Sequence, residues 1–163
     1  MNRKLLSLNA TLIFTIASMF QETLHELAHY VAAVILHSKN VTLFHNAVSH
    51  DTSLLTLNER IWIAAGGPLF GLIAGIIFHV ICRMIIKRDL FYLFLLYFTS
   101  FCYIDFGGYL LVSPFFKNGD TGFIFASLGF PFWLTSLIAF SGVFFLYYSL
   151  KMLCRYFVEM ASA

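Results

Sequence analysis

Long uncharged stretches alternate with short polar clusters and divide the chain into four candidate membrane-spanning segments. Residues 5–21 carry no formal charge, and a helical pattern continues to about His37. At about 1.5 Å per residue, that length crosses a ~30 Å hydrocarbon core with some tilt. Residues 38–57 are polar and mixed. Within them, residues 41–44 and 53–57 have strand-like content and are separated by residues 45–51, which predicts a β-hairpin or a partly re-entrant loop. Thr56 and Glu59 stand at capping-box spacing and predict the start of a second span, uncharged from Ile61 to Cys82. A third runs from about Leu90 to Val112, interrupted by Asp105. Residues 113–122 are dense in helix breakers, and Gly129 and Pro131 then divide the last apolar stretch. This predicts a short helix to about Leu128 and a fourth span from about Pro131 to Met152. The expected fold is an all-α membrane protein of one polytopic domain, residues 1–163. Its spans lie near 5–37, 59–83, 90–112 and 131–152, with the hairpin or re-entrant loop after the first.

Charge placement adds a topology. Arg3 and Lys4, then Arg83, Lys87 and Arg88, then Lys151 and Arg155 cluster at three alternating span ends, whereas Lys39, Arg60 and Lys117 occupy the other loops. Seven basic residues against three predict cytoplasmic termini. With 60% hydrophobic and 11% charged residues, composition agrees with a multi-pass membrane protein, the bacterial cell membrane being the expected location. The net charge of +2, with no basic run interleaved with aromatics, argues against nucleic acid as a partner. Cys82, Cys102 and Cys154 lack metal-ligand spacing and read as packing residues. The basic start followed by an apolar run imitates a signal peptide. Residues 17–19 lack a small residue at the end of the candidate cleavage region, so an uncleaved first span is expected. Gly67, Gly71 and Gly75 recur every fourth residue, a spacing that lets membrane helices approach closely, and Pro68 should bend or begin the regular helix.

The chemistry concentrates in the first span, where His25, Glu26 and His29 form an H-E-x-x-H pattern. From six His and four Glu in the chain, chance predicts about 0.005 such matches. On a helix, residues four apart lie about 40° apart around the axis, so His25 and His29 can share one metal ion. Glu26, beside them, can then take a proton from water at that metal. Ionisable side chains in hydrocarbon are costly and usually functional. Asp105 is one candidate for a third ligand, because it and His29 lie about 10–12 Å below the same surface by helical rise. It can alternatively orient a ligand histidine or form a polar contact within the bundle. Glu22, one turn before Glu26, is a candidate partner of a ligand histidine. His37, His45, His50 and His79 lack paired spacing and read as interfacial or hydrogen-bonded residues.

Taken in order, the motif at residues 25–29, the Ala-Gly-Gly-Pro stretch at 65–68 and the segment from Pro114 to Asp120 resemble site-2 proteases, the intramembrane zinc metalloproteases of M50 type. The resemblance covers roughly residues 10–130 of what looks like a small four-span member. It implies zinc held by His25, His29 and Asp120, with Glu26 as the general base. Zinc also suits two imidazoles and one carboxylate with a fourth position for water. The chain departs from the family in lacking an asparagine shortly before Pro114, where residues 110–113 are Leu-Leu-Val-Ser, in having Gly119-Asp120-Thr121 in place of an Asp-Gly pair, and at Gly71, where asparagine is frequent; Ser113 and Asn118 are the candidate substitutes for the first. Family sites lie nearer the cytosol, whereas the charge count puts the His25 end of the first span outside.

The expected activity is hydrolysis of peptide bonds in transmembrane protein substrates within the lipid bilayer, through zinc-bound water activated by Glu26. The alternative is a non-catalytic metal-binding or pseudo-protease protein that captures partner helices; another is a small transporter subunit. Homo-oligomerisation is left open.

Overall fold

The computed structural model describes the backbone of residues 3–87 and 89–162, and the side chains of residues 8–87 and 89–161. Met1 and Asn2, and the side chains of Arg3, Lys4 and Arg88 that enter the topology expectation, lie outside the described residues. The elements run α1 (Arg3–Ile35), β1 (Lys39–Phe44), β2 (Ala47–Asp51), α2 (Leu57–Met84), α3 (Leu90–Val112), α4 (Asp120–Ser127) and α5 (Phe132–Ser162). Helices α2, α3 and α5 are long and apolar enough to cross a membrane. Helix α1 has the length, at 33 residues, but Gln21, Glu22, His25, Glu26 and His29 interrupt its apolar surface.

Local chemistry sets the boundaries. Helix α1 closes in a Schellman turn. Ser38 N–H donates to Ala33 O at 2.9 Å, His37 N–H to Val34 O at 3.1 Å, and His37 takes the left-handed conformation at φ 57°. Helix α2 starts where expected, with Thr56 Oγ1 accepting from Glu59 N–H and Glu59 accepting from Thr56 N–H at 2.7 Å. Asp89 caps α3 by accepting from Tyr92 N–H at 3.1 Å. Helix α4 ends at Gly129, φ 70°, where Phe130 N–H donates to Phe125 O and the two rings stack at 5.4 Å. Pro131 then bars continuation.

Three expectations need correction. The second strand is residues 47–51, not 53–57. A two-residue turn at His45 and Asn46 pairs Phe44 with Ala47, while Asp51 Oδ1 accepts from Ser53 N–H in a tight turn and Thr56 is consumed as the α2 cap. Of the two roles expected of Pro68, only that of beginning the helix is overturned, since it lies inside α2. Helix α5 runs ten residues beyond Met152, because Leu153 and Tyr156 are buried against Cys82, Tyr92, Leu95 and Leu96. Arg155, which looked like a helix end, lays its guanidinium 4.6 Å from the Tyr156 ring and continues the helix.

Helix α3 is the centre of the bundle, touching α1, α2, α4 and α5. Its contact with α1 is largely aromatic, with Phe14 against Tyr97 and Phe101, and Phe20 against Phe98. The contact with α2 uses the glycine stripe. A Cβ at Gly75 would lie 2.7 Å from Tyr103 Cε1, and one at Gly71 would lie 2.6 Å from Asp105 Oδ2. A side chain at either position would have to displace the Tyr103 ring or the Asp105 carboxylate.

Candidate metal centre

Helical spacing puts His25 and His29 on the buried face of α1, where they meet the Asp105 and Asp120 side chains of α3 and α4 and the backbone of α2. Their Nε2 atoms are 3.0 Å apart, and each lies 3.2 Å from Asp120 Oδ2. Asp120 is brought there by the first turn of α4, which is tied to α3 where Thr121 Oγ1 donates to Tyr109 O at 2.6 Å. The distal ring nitrogens are held separately. His25 Nδ1 is 2.9 Å from Asp105 Oδ2 on α3, and His29 Nδ1 is 2.7 Å from Ile63 O on α2. Gly67 N–H also lies 3.4 Å from His29 Nδ1, but the much shorter contact with a carbonyl requires that nitrogen to carry the proton.

These contacts select the tautomers. With both Nδ1 atoms donating to oxygen, both neutral imidazoles turn an Nε2 lone pair toward the same point as the Asp120 carboxylate. Three acceptors facing one another at 3.0–3.2 Å repel unless a proton or a metal ion sits between them. Bonds of about 2.0–2.1 Å to a tetrahedral ion separate ligand atoms by about 3.3–3.4 Å, close to the spacing found. His25, His29 and Asp120 therefore form a group able to bind a metal ion. Gly67 faces this point from α2. A Cβ on it would meet His25 Cε1 at 2.5 Å and come closer still to both Nε2 atoms.

Asp105, the rival third ligand, stands behind His25 as the partner of its distal nitrogen. Glu22 is exposed and makes neither of the Nδ1 contacts for which it was a candidate. Glu26 is half-buried and lines a cavity of about 360 Å³ together with His29, Asp120, Tyr109 and residues of β2. Ser113 and Asn118 do not line it: the Ser113 hydroxyl donates to Leu110 O, and Asn118 is exposed in the loop before α4. None of the other histidines joins the group. His37 caps α1, His45 sits in the hairpin turn, Ser38 Oγ lies 3.1 Å from His50 Nδ1, and Tyr103 Oη lies 3.1 Å from His79 Nδ1.

Two residues at the site were not singled out as functional from the sequence. Tyr109 stacks on His25 with ring centroids 5.2 Å apart and planes within 12°. Its spacing of four from Asp105 on one helix is the signal that could have found it. Arg60, counted only toward topology, also lines the cavity. Nothing local marks it, because its neighbours there come from the hairpin and α4. No protein-family model, curated protein or solved structure matches the chain.

Proposed function

We propose that the chain is an intramembrane zinc metalloendopeptidase of the site-2 protease type, acting on transmembrane protein substrates. The observation that carries this reading is the convergence of His25 Nε2, His29 Nε2 and Asp120 Oδ2 beside a cavity that Glu26 also lines. Two imidazoles and one carboxylate suit zinc and leave a fourth position open to the cavity. A zinc ion held there supplies Lewis acidity toward water and a peptide carbonyl. Glu26 accepts the proton of a water molecule in the cavity and delivers it to the departing amine nitrogen. Asp105 and Ile63 O keep both ligand rings in the required tautomer and orientation.

In this reading α1 is a fourth span. Its polar residues are tolerated because they face the bundle and a water-accessible cavity. The substrate lies extended along β2, whose Ala47, Val48 and His50 line the cavity. An edge strand recognises backbone with little demand on sequence, but only a locally unwound helix can use it. A substrate with Gly or Pro near the scissile bond should therefore be cut faster than one with Leu.

The test combines metal analysis with cleavage of single-span substrates by purified protein. Wild type should hold about one zinc per chain and cut; Glu26→Gln should keep zinc and fold while losing at least about 10²-fold in rate. Cleavage by Glu26→Gln within tenfold of wild type would reject the assigned role. Undiminished zinc after both His25→Ala and His29→Ala would reject the site.

A further inference from the structure

Arg60 stands in the cavity wall with its guanidinium 5.3 Å from the centroid of the Phe123 ring, one turn after Asp120 on α4. This contact fixes the plane of the side chain and leaves its N–H edge uncommitted. Among the described residues, no carboxylate pairs with Arg60 and no acceptor takes its side-chain hydrogens. Glu59, next in sequence, is unavailable, because its carboxylate accepts from Thr56 N–H and Thr56 Oγ1, both at 2.7 Å. The position is also locally unfavourable. Arg60 is the fourth residue of α2, where the positive end of the helix dipole repels a cation. A cation held against its own helix dipole, stacked on Phe123 but with no carboxylate partner among the described residues, in the wall of the cavity that Glu26 also lines, is a feature that local folding rules do not supply.

We propose that Arg60 is a specificity residue that binds a carboxylate of the peptide substrate. The inference rests on the hydrolase reading above and adds a substrate class to it. Arg60 lines the same cavity of about 360 Å³ as His29, Asp120 and Glu26, so a peptide held there by the hairpin can meet both the guanidinium and the metal group. The carboxylate belongs either to an acidic side chain near the scissile bond or to the substrate's own C-terminus. Guanidinium suits either, since its fork donates two parallel hydrogen bonds to one carboxylate.

Binding can be read without turnover. Zinc-loaded Glu26→Gln protein, full length in neutral detergent, is titrated into fluorescent octapeptides of Ala, Leu and Ser, and anisotropy gives the affinity. One peptide is neutral and amidated. A second set is amidated with a single Glu moved along it, and a third peptide is neutral with a free C-terminal carboxylate. At least one carboxylate-bearing peptide should bind about tenfold to hundredfold tighter than the neutral one. Arg60→Gln should remove that gain without weakening the neutral peptide, Arg60→Lys should keep part of it, and Arg60→Glu should transfer the preference to a Lys-containing peptide. Gain in the Glu set identifies a side-chain carboxylate; gain only with the free terminus identifies C-terminal recognition. Equal affinity for neutral and acidic peptides overturns the proposal, as does binding of none of them or an equal loss for all peptides in Arg60→Gln. A wild-type protein that binds acidic peptides but hydrolyses nothing would refute the protease reading and leave Arg60's role standing.

Discussion

Replacing Gly67 with Ala adds one methyl group at the point where the two ligand imidazoles meet. The new carbon would lie 2.5 Å from His25 Cε1, whereas non-bonded carbons settle at about 3.5–4.0 Å, so the ring must retreat by about 1 Å. Metal–ligand distances tolerate only about ±0.2 Å. The rings have no free direction of retreat, because His25 is tethered at Nδ1 by Asp105 and His29 by Ile63 O. Displacing either ring either lengthens its bond to the ion or breaks its tether, and loss of an orienting partner alone weakens metal binding about 10–100-fold. With both rings affected, Gly67→Ala should lower zinc affinity about 10²–10⁴-fold, measured by competition with a chromophoric chelator. Gly108→Ala is the control, since a Cβ there has nothing within 4 Å and helix propensity alone should stabilise by about 0.5–1 kcal/mol. If folded Gly67→Ala binds zinc as tightly as wild type, the ligand set does not lie against Gly67 and the proposed centre is wrong.

Other outcomes follow from the same geometry. Asp120→Ala should abolish stoichiometric zinc, whereas Asp105→Asn should retain it with about 10–100-fold weaker affinity; the reverse ranking would make Asp105 the ligand. At the helix ends, Gly129→Ala should destabilise by about 1 kcal/mol and His37→Gly should stabilise by a similar amount, because both positions are left-handed. Denaturant melts in detergent would show this, and a destabilised His37→Gly would contradict the capping analysis. For topology, cysteines placed near Lys4, Lys87 and Arg155 should label from the cytosolic side in sealed cells, as the positive-inside count requires. Labelling of any one from outside would overturn that orientation and favour the sidedness of site-2 proteases.

Much of this architecture was legible because membrane helices announce themselves by length and by strong local stop signals. The Thr56–Glu59 box, Asp89 before Leu90, and Gly129 followed by Pro131 each mark a boundary that the fold uses. The second strand was misplaced because residues 53–57 look apolar in isolation, while the Asp51–Ser53 turn and the Thr56 cap that claim them are hydrogen-bond events. The end of α5 was misjudged because Arg155 reads as a boundary charge until an aromatic neighbour is seen to carry it. At the site, the histidine spacing was readable from one helix. The separate positions of Asp105 and Asp120 were not, because each depends on how α3 and α4 meet α1. The glycine stripe suggested close approach, but no single helix could say that Gly67 faces His25 and His29 and Gly71 the carboxylate behind them.

In the proposed zinc centre the two aspartates would also solve the electrostatic problem of a charged ion inside an apolar bundle. A divalent ion with two neutral imidazoles and the Asp120 carboxylate carries a net +1, which is costly to bury. Asp105, hydrogen-bonded to His25 Nδ1, brings the assembly to zero without occupying a coordination position. Held by His25 in this way, Asp105 would leave a zinc ion at the proposed centre free to take water as a further ligand. Glu26 lies outside this neutral set. His25 and His29 are 3% and 7% exposed, whereas Glu26 is half-buried against the cavity, so its charge can be hydrated when it is not accepting a proton. In the proposed enzyme this division would give charge balance to the buried face of the two rings and proton transfer to the wet one. It also accounts for Gly71, since the space a side chain would fill there is the space the Asp105 carboxylate needs.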